Sequence, residues 1–163
     1  MKNYDVIVIG AGHAGVEAAI ASDRIGAKTA LVSFSQDDLG IMSCNPAMGG
    51  LGKGHLIREI DAMGGVIGRA SDSSGIQFRM LNSSRGAAVR GPRAQTDRIL
   101  YKNAINDLVS GQKNLQIIEG SVEDLIVSKN QVLGVILGDN KKIFSKSVVL
   151  TTGTFLQGLI RIG

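Results

Sequence analysis

The stretch Ser43-Cys44-Asn45-Pro46-Ala47-Met48-Gly49-Gly50-Leu51-Gly52-Lys53-Gly54-His55 gathers the chain's one thiol, an ammonium, an imidazole and four glycines into thirteen residues. Thiolate is the nucleophilic form of cysteine, and nearby cations lower the thiol pKa. Cys44, with Lys53 and His55 close in sequence, is therefore a candidate nucleophile, whereas free cysteines are commonly buried and inert. Spacing leaves both readings open. The glycines and Lys53 also invite comparison with a nucleoside-triphosphate loop, which needs a glycine five residues before Gly52 and a hydroxyl directly after Lys53. Those positions hold Ala47 and Gly54, so that motif is absent. Glycine-rich backbone and Lys53 remain candidates for cradling the phosphates or the edge of a cofactor.

A second glycine set, Gly10-Ala11-Gly12-His13-Ala14-Gly15, has the spacing GxGxxG. In a dinucleotide fold the first glycine makes the tight turn, the second lets backbone N–H groups reach a pyrophosphate, and the third lets helix pack on strand. The phosphates then rest on a helix N-terminus, where unpaired amides and the macrodipole favour anions. His13 reads as a helix-start residue beside the cofactor rather than as a catalyst. The acidic residue that usually holds the ribose should follow the next strand. Val32-Ser33-Phe34-Ser35-Gln36 has none before Asp37 and Asp38, which leaves Ser33 and Ser35 as substitutes or the ribose contact weak.

The third set is cationic. Between Ile76 and Lys102 stand Arg79, Arg85, Arg90, Arg93, Arg98 and Lys102 against the single acid Asp97, so this segment alone exceeds the chain's net charge of +4. Such a cluster is either a solvated face or a surface for phosphates.

These groups need elements to hold them. Asp5 to Ile9 is a β-branched apolar run, the pattern of a strand buried on both faces of a parallel sheet. Val16, Ala19, Ile20 and Asp23 recur at helical spacing from His13 to Ile25, and a second strand covers Thr29 to Phe34. Together they predict a βαβ unit over about 4–34 that places GxGxxG between strand and helix. Leu56 to Ala62 reads as a short helix stopped by Gly64-Gly65, and Ile76 to Leu81 as a strand within an otherwise loop-like 65–91. Thr96 is the expected N-cap of a helix from Asp97 to about Val109, with Leu100, Ala104 and Leu108 as its apolar face. Leu115 to Glu119 is a third strand. Val122 to Ser128, Val132 to Leu137 and Lys142 to Phe144 follow, parted by turn residues, and predict an antiparallel meander over about 122–144. Ser147 to Leu150 returns to the buried-strand pattern before Thr151-Thr152-Gly153-Thr154. A meander crossover is typical of FAD domains, where NAD domains commonly use a helix, so FAD is the favoured dinucleotide.

With 163 residues the expectation is about one domain. One cysteine excludes an internal disulfide and a thiolate zinc site. No apolar run approaches the roughly 20 residues that span a bilayer, and the N-terminus lacks a signal-peptide pattern, so a soluble cytoplasmic protein is expected.

SCNPAMGGLGKGHLIREIDAMGG, with VIVIGAGHAGVEAA, GIQFRMLNSSRGAAVRGPRAQTDR, SVEDLIV and VVLTTGTFLQG, resembles the bacterial tRNA uridine 5-carboxymethylaminomethyl modification enzymes, the family formerly called glucose-inhibited division protein A. The resemblance runs over essentially the whole chain, in family order. It implies a glutathione-reductase-like α/β fold, a Rossmann-like FAD-binding domain with a parallel sheet, of which 1–163 is the N-terminal part, cut short. It further implies a cytoplasmic FAD enzyme that works as a homodimer with a GTPase partner on the wobble uridine of certain tRNAs. Methylenetetrahydrofolate supplies the one-carbon unit and NADH reduces the flavin. Carried over by position, Gly10, Ala11, Gly12, His13, Ala14 and Gly15 match the FAD phosphate loop and Val122 a further FAD contact. Cys44 matches a cysteine implicated in activity. The arginine-rich segment, with Arg79, Arg85, Arg90 and Arg93, resembles a region near the flavin that could meet tRNA phosphates. Since the family's chain is several times longer, this chain by itself is expected to be inactive, and a noncatalytic remnant or nucleotide-binding fragment is the alternative.

Overall fold

The computed structural model describes residues 3–42 and 45–153. In chain order the elements are β1 (Asn3–Ile9), α1 (His13–Arg24), β2 (Thr29–Ser33), β3 (Ala47–Gly49), α2 (Lys53–Ala62), α3 (Ile67–Ser74), β4 (Gly75–Leu81), β5 (Gly91–Thr96), α4 (Arg98–Ser110), β6 (Leu115–Glu119), β7 (Val122–Ser128), β8 (Gln131–Leu137) and β9 (Lys142–Leu150). They form two compact units, Met1–Leu39 with Gln112–Gly163, and Gly40–Gly111.

The first unit is a six-stranded sheet in the order β6-β2-β1-β9-β8-β7. β1 is parallel to β2 and to β9, and β2 is parallel to β6, while β7, β8 and β9 pair antiparallel. β2, sequence TALVS, is buried at every position, as a central parallel strand requires. Tyr4, Ile7, Ile9, Ala30, Val32, Val135, Leu137 and Ile143 form one core cluster, so parallel and meander strands share a core. α1 lies between β1 and β2 in the chain and buries Gly15, Val16, Ala19, Ile20 and Asp23. The Asp23 carboxylate is not stranded there: it accepts the backbone N–H of Asn114 at 2.5 Å, just before β6. The expected βαβ unit and meander are both present, with one difference. Lys142–Phe144 and Ser147–Leu150 are one strand, β9, which pairs with β8 through residues 142–144 and with β1 through 144–150. Its polar centre is tolerated because Ser145 Oγ donates to the Ser147 carbonyl at 2.9 Å and exposed Lys146 pairs with Asp5 at 2.7 Å.

The second unit is a three-stranded antiparallel sheet, β3-β5-β4, with α2, α3 and α4. α4 corrects two expectations. Its N-cap is Asp97, whose carboxylate accepts from Ile99 N at 2.8 Å and Leu100 N at 2.9 Å. Thr96 closes β5 instead, its N–H and hydroxyl both directed to the Pro46 carbonyl. The buried face of α4 is Tyr101, Ile105 and Val109, one residue on from the expected stripe, and Leu100 is 53% exposed. α3, with the sequence IGRASDSS, falls in a stretch that reads as loop. It buries serines by returning hydroxyls to the helix, Ser71 to the Ile67 carbonyl and Ser74 to Ala70, each at 2.6 Å. Among the described residues, no helix is long and apolar enough to cross a membrane.

Candidate functional site

In the first unit the GxGxxG turn leaves β1 at Gly10 and enters α1 at His13. Gly10 has φ +100°, and a side chain there would press on the Thr151 carbonyl at 2.6 Å. A Cβ on Gly15 would run into the Gly10 carbonyl and the Thr151 hydroxyl. Both glycines are thus demanded by close packing of turn, helix and the end of β9. Gly12 differs: it has ordinary extended backbone, and an added Cβ would meet no atom within 4 Å. It is also the N-cap of α1, without a side-chain capping bond and without an acid in the first turn. An exposed glycine before an uncapped helix start is an open cradle with amide dipoles behind it, and it suits a pyrophosphate. Ala11 is buried, and His13 and Ala14 begin the helix.

Thr151, to which the sequence assigns no role, latches this turn. Its N–H donates to the Ile9 carbonyl at 2.9 Å, and its hydroxyl lies 2.7 Å from that carbonyl and 3.1 Å from the Gly10 carbonyl. The available signal was a threonine directly after SVVL, which ends a strand parallel to β1 although Ser147 and Leu150 are exposed there rather than buried as the pattern predicts.

The ribose end also gains a carboxylate. Ser35 caps a single 3-10 turn, Gln36–Asp38, and the Asp38 carboxylate returns to Ser35 N at 3.0 Å and Ser33 Oγ at 3.3 Å. Asp38 thereby sits at the carboxyl end of β2, although four residues of chain separate it from that strand. The serine followed three residues later by an acid is the capping-box signature that would have found it. Glu119, ending the neighbouring β6, accepts the Gln36 N–H at 2.8 Å. Val122 opens β7, opposite Leu137, half-buried against the core cluster.

In the second unit the glycine-rich loop forms β3 and the start of α2. Gly49 has φ +112°, and a side chain there would run into the Pro92 carbonyl of β5, the same carbonyl that accepts Gly50 N at 2.9 Å. These glycines let β3 lie against β5. Lys53 opens α2, three residues earlier than expected, and its Nζ reaches the Ala47 carbonyl at 3.3 Å. Cys44 lies outside the described residues.

The arginines divide. Arg79 in β4 and Arg93 in β5 are directly opposite in register, and Gln77 faces Gln95 beside them. These four residues and Leu81 line a recess of about 230 Å³. Arg85 and Arg90 lie in the loop between the strands, where Arg90 Nε donates to the Arg85 carbonyl at 3.1 Å and Asn82 closes the loop onto Val89. Arg98 is exposed but anchored, its Nη1 on the Met42 carbonyl at 3.0 Å. A larger cleft, about 410 Å³, lies between α2, α3 and the sheet, with Met48, Ile57, Phe78 and Met80 as its apolar lining and Asp61 and Asp72 among its polar groups.

Residues 5–163 match the model of the family described as "Glucose inhibited division protein A". The chain is 50% identical to GidA of Aquifex aeolicus, with a TM-score of 0.89 over 94% of this chain and 25% of that one. It therefore spans about a quarter of that protein's length. Two more distant structures share the fold alone. The GidA-related protein from Thermus thermophilus is 20% identical, with a TM-score of 0.59, over 94% of this chain and 54% of that one. PqsL of Pseudomonas aeruginosa, titled a probable FAD-dependent monooxygenase, is 16% identical, with a TM-score of 0.65, over 98% of this chain and 47% of that one.

Proposed function

Because the chain belongs to the glucose inhibited division protein A family, we propose that it is the FAD-binding part of an enzyme that modifies tRNA. The observation that carries the cofactor is the Gly10–Gly15 cradle, in which two glycines are required by packing and the third, Gly12, is left open. Gly12, His13 and Ala14 would present the pyrophosphate to the start of α1. Asp38 and Ser33 are the groups for the ribose hydroxyls. When bound, the flavin supplies hydride and one-carbon chemistry, and the chain's own residues bind and orient it.

The finer reading follows the family resemblance. With a GTPase partner, the whole enzyme adds a carboxymethylaminomethyl group to carbon 5 of the wobble uridine, drawing on methylenetetrahydrofolate and NADH, as a homodimer in the cytoplasm. Cys44 is the candidate active-site thiol, and the arginine-rich segment meets tRNA phosphates, for which its charge is suited.

Flavin retention is the direct test. The purified chain, mixed with FAD and freed of excess by gel filtration, is expected to hold flavin absorbance in proportion to protein. A folded chain that keeps no flavin at micromolar concentration overturns the cofactor assignment. Cys44→Ser in the full-length protein should abolish the modified nucleoside in tRNA while leaving FAD content and folding unchanged; a loss of solubility instead would mark the cysteine as a packing residue.

A further inference from the structure

We propose that the cross-strand pair Arg79 and Arg93, flanked by Gln77 and Gln95, is a receptor for a single phosphate of an RNA backbone. The inference rests on the tRNA reading above and narrows it from a basic segment to one recess. The argument starts from register. Cross-strand partners share a sheet face, so one face of the sheet carries the row Ala47, Gln95, Gln77 and beside it the row Gly49, Arg93, Arg79. The opposite face carries Met48, Ala94 and Phe78, then Pro92 and Met80. The sheet therefore carries both arginines on one side, with Leu81 beside them, and Met48, Phe78, Pro92 and Met80 on the other.

Like charges directly opposite in an antiparallel pair destabilise it. Among the described residues, no carboxylate forms an ion pair with Arg79 or Arg93, and neither guanidinium has a hydrogen-bond partner. Asp61 and Asp72 line the larger cleft, which both arginines also border, yet they engage neither of them. Two guanidinium groups carried by directly opposed residues and lining one recess can converge on a single phosphate, which accepts paired N–H bonds. The amides of Gln77 and Gln95 add neutral donors without a competing negative charge.

A phosphate could also come from the cofactor or from free solution, and the measurements separate these. In thermal unfolding, inorganic phosphate should raise the melting temperature of the chain above that in chloride of equal ionic strength. Arg79→Gln and Arg93→Gln should each remove that difference. In chloride both variants should melt at or above the parent, since the like-charge contact is gone. Arg93→Lys, which keeps the charge but not the fork, should keep little of the phosphate effect. Variants that respond to phosphate as the parent does, or that melt well below it in chloride, overturn the inference.

Binding of unmodified tRNA, followed by fluorescence anisotropy across a salt series, assigns the source. For the double variant Arg79→Gln/Arg93→Gln, the slope of log affinity against log salt should become shallower by about 0.7 to 0.9, the loss of one phosphate contact. No change, or about twice that change, overturns the single-phosphate receptor. FAD retention should be unaltered; its loss with an unchanged tRNA slope would assign the recess to the cofactor and overturn the RNA source. A parent chain that binds no tRNA refutes the substrate reading itself, and the phosphate melting comparison then decides the recess separately.

Discussion

Gly12 and Gly15 are two residues of one motif with opposite expected behaviour when each is replaced by alanine. At Gly15 the new methyl would occupy the position of the Gly10 carbonyl, so α1 must move away from β1. Forced overpacking of this kind costs about 1–3 kcal/mol. With backbone rather than a flexible side chain in the way, the upper part of that range applies, and for a chain of this size it corresponds to a fall in melting temperature of roughly 4–10 °C. At Gly12 the methyl meets nothing within 4 Å, and the backbone at φ −68° already suits alanine. Two small terms then oppose one another. Restricting the unfolded chain gains about 0.4–1 kcal/mol, and exchanging glycine for alanine at an N-cap loses a similar amount. The ligand-free melting temperature should therefore move by less than about 2 °C. FAD retention should nonetheless collapse, because the methyl stands where a phosphate must approach the amides. Losing one or two charge-assisted hydrogen bonds, about 1.5–3 kcal/mol each, weakens binding at least tenfold. The assay pairs circular-dichroism melting of the cofactor-free chains with flavin fluorescence titration. Gly12→Ala that binds FAD like the parent, or that melts as low as Gly15→Ala, refutes the division of the motif into one open and two packed glycines.

Asp97→Ala removes the acceptor of both capping bonds of α4 and should cost about 1 kcal/mol, read as an earlier urea midpoint with an unchanged m-value. Asp5 accepts from Lys146 and from the Lys28 N–H, and these bonds hold its carboxyl below the ordinary carboxylate range. A depressed folded pKa contributes stability above the unfolded value near 4 that is lost as pH falls through the folded one. The stability difference between the parent and Asp5→Asn should therefore shrink on acidification below about pH 4, and a difference that is flat from pH 7 to pH 3 refutes the linkage.

The strands and α1 of the first unit, apart from the continuity of β9 across Ser145-Lys146, were legible because their signals are local. A continuous β-branched run, a helical stripe and a glycine turn each lie within a dozen residues, and tertiary packing agrees with all of them. The second unit was harder for a physical reason in each case. The buried positions of α3 keep helical spacing, but two of the four are Ser71 and Ser74, satisfied within the helix, so a serine-rich stretch reads as loop. β3 has three residues and depends on β5 for its pairing. At α4 two adjacent residues, Thr96 and Asp97, are both good caps, and only the Thr96 bonds to Pro46 assign the cap to Asp97. The cradle was visible in GxGxxG, but Thr151 was not, because it comes from more than a hundred residues away and no spacing rule connects it to Gly10.

Glycine density alone therefore does not mark a ligand site. The Gly10–Gly15 and Gly49–Gly54 stretches look alike in composition, and each holds glycines demanded by packing, Gly10 and Gly15 against Thr151 and Gly49 against the Pro92 carbonyl, beside one open N-cap glycine. The two open positions differ in backbone, since Gly12 has φ −68° and accepts any residue whereas Gly52 has φ +75° and needs glycine for its conformation alone. The same reasoning divides the cations. Arg98 holds the Met42 carbonyl, and Thr96 holds that of Pro46, so the chain on either side of the Ser43-Cys44 pair is fastened to β5 and α4. A side chain engaged in that way contributes positioning, although its charge and its remaining N–H donors are unchanged. What sets Arg79 and Arg93 apart from the other cations is that the sheet register places them opposite one another without a carboxylate, so the register of two residues is a sharper guide to a phosphate site than the net positive charge of the segment.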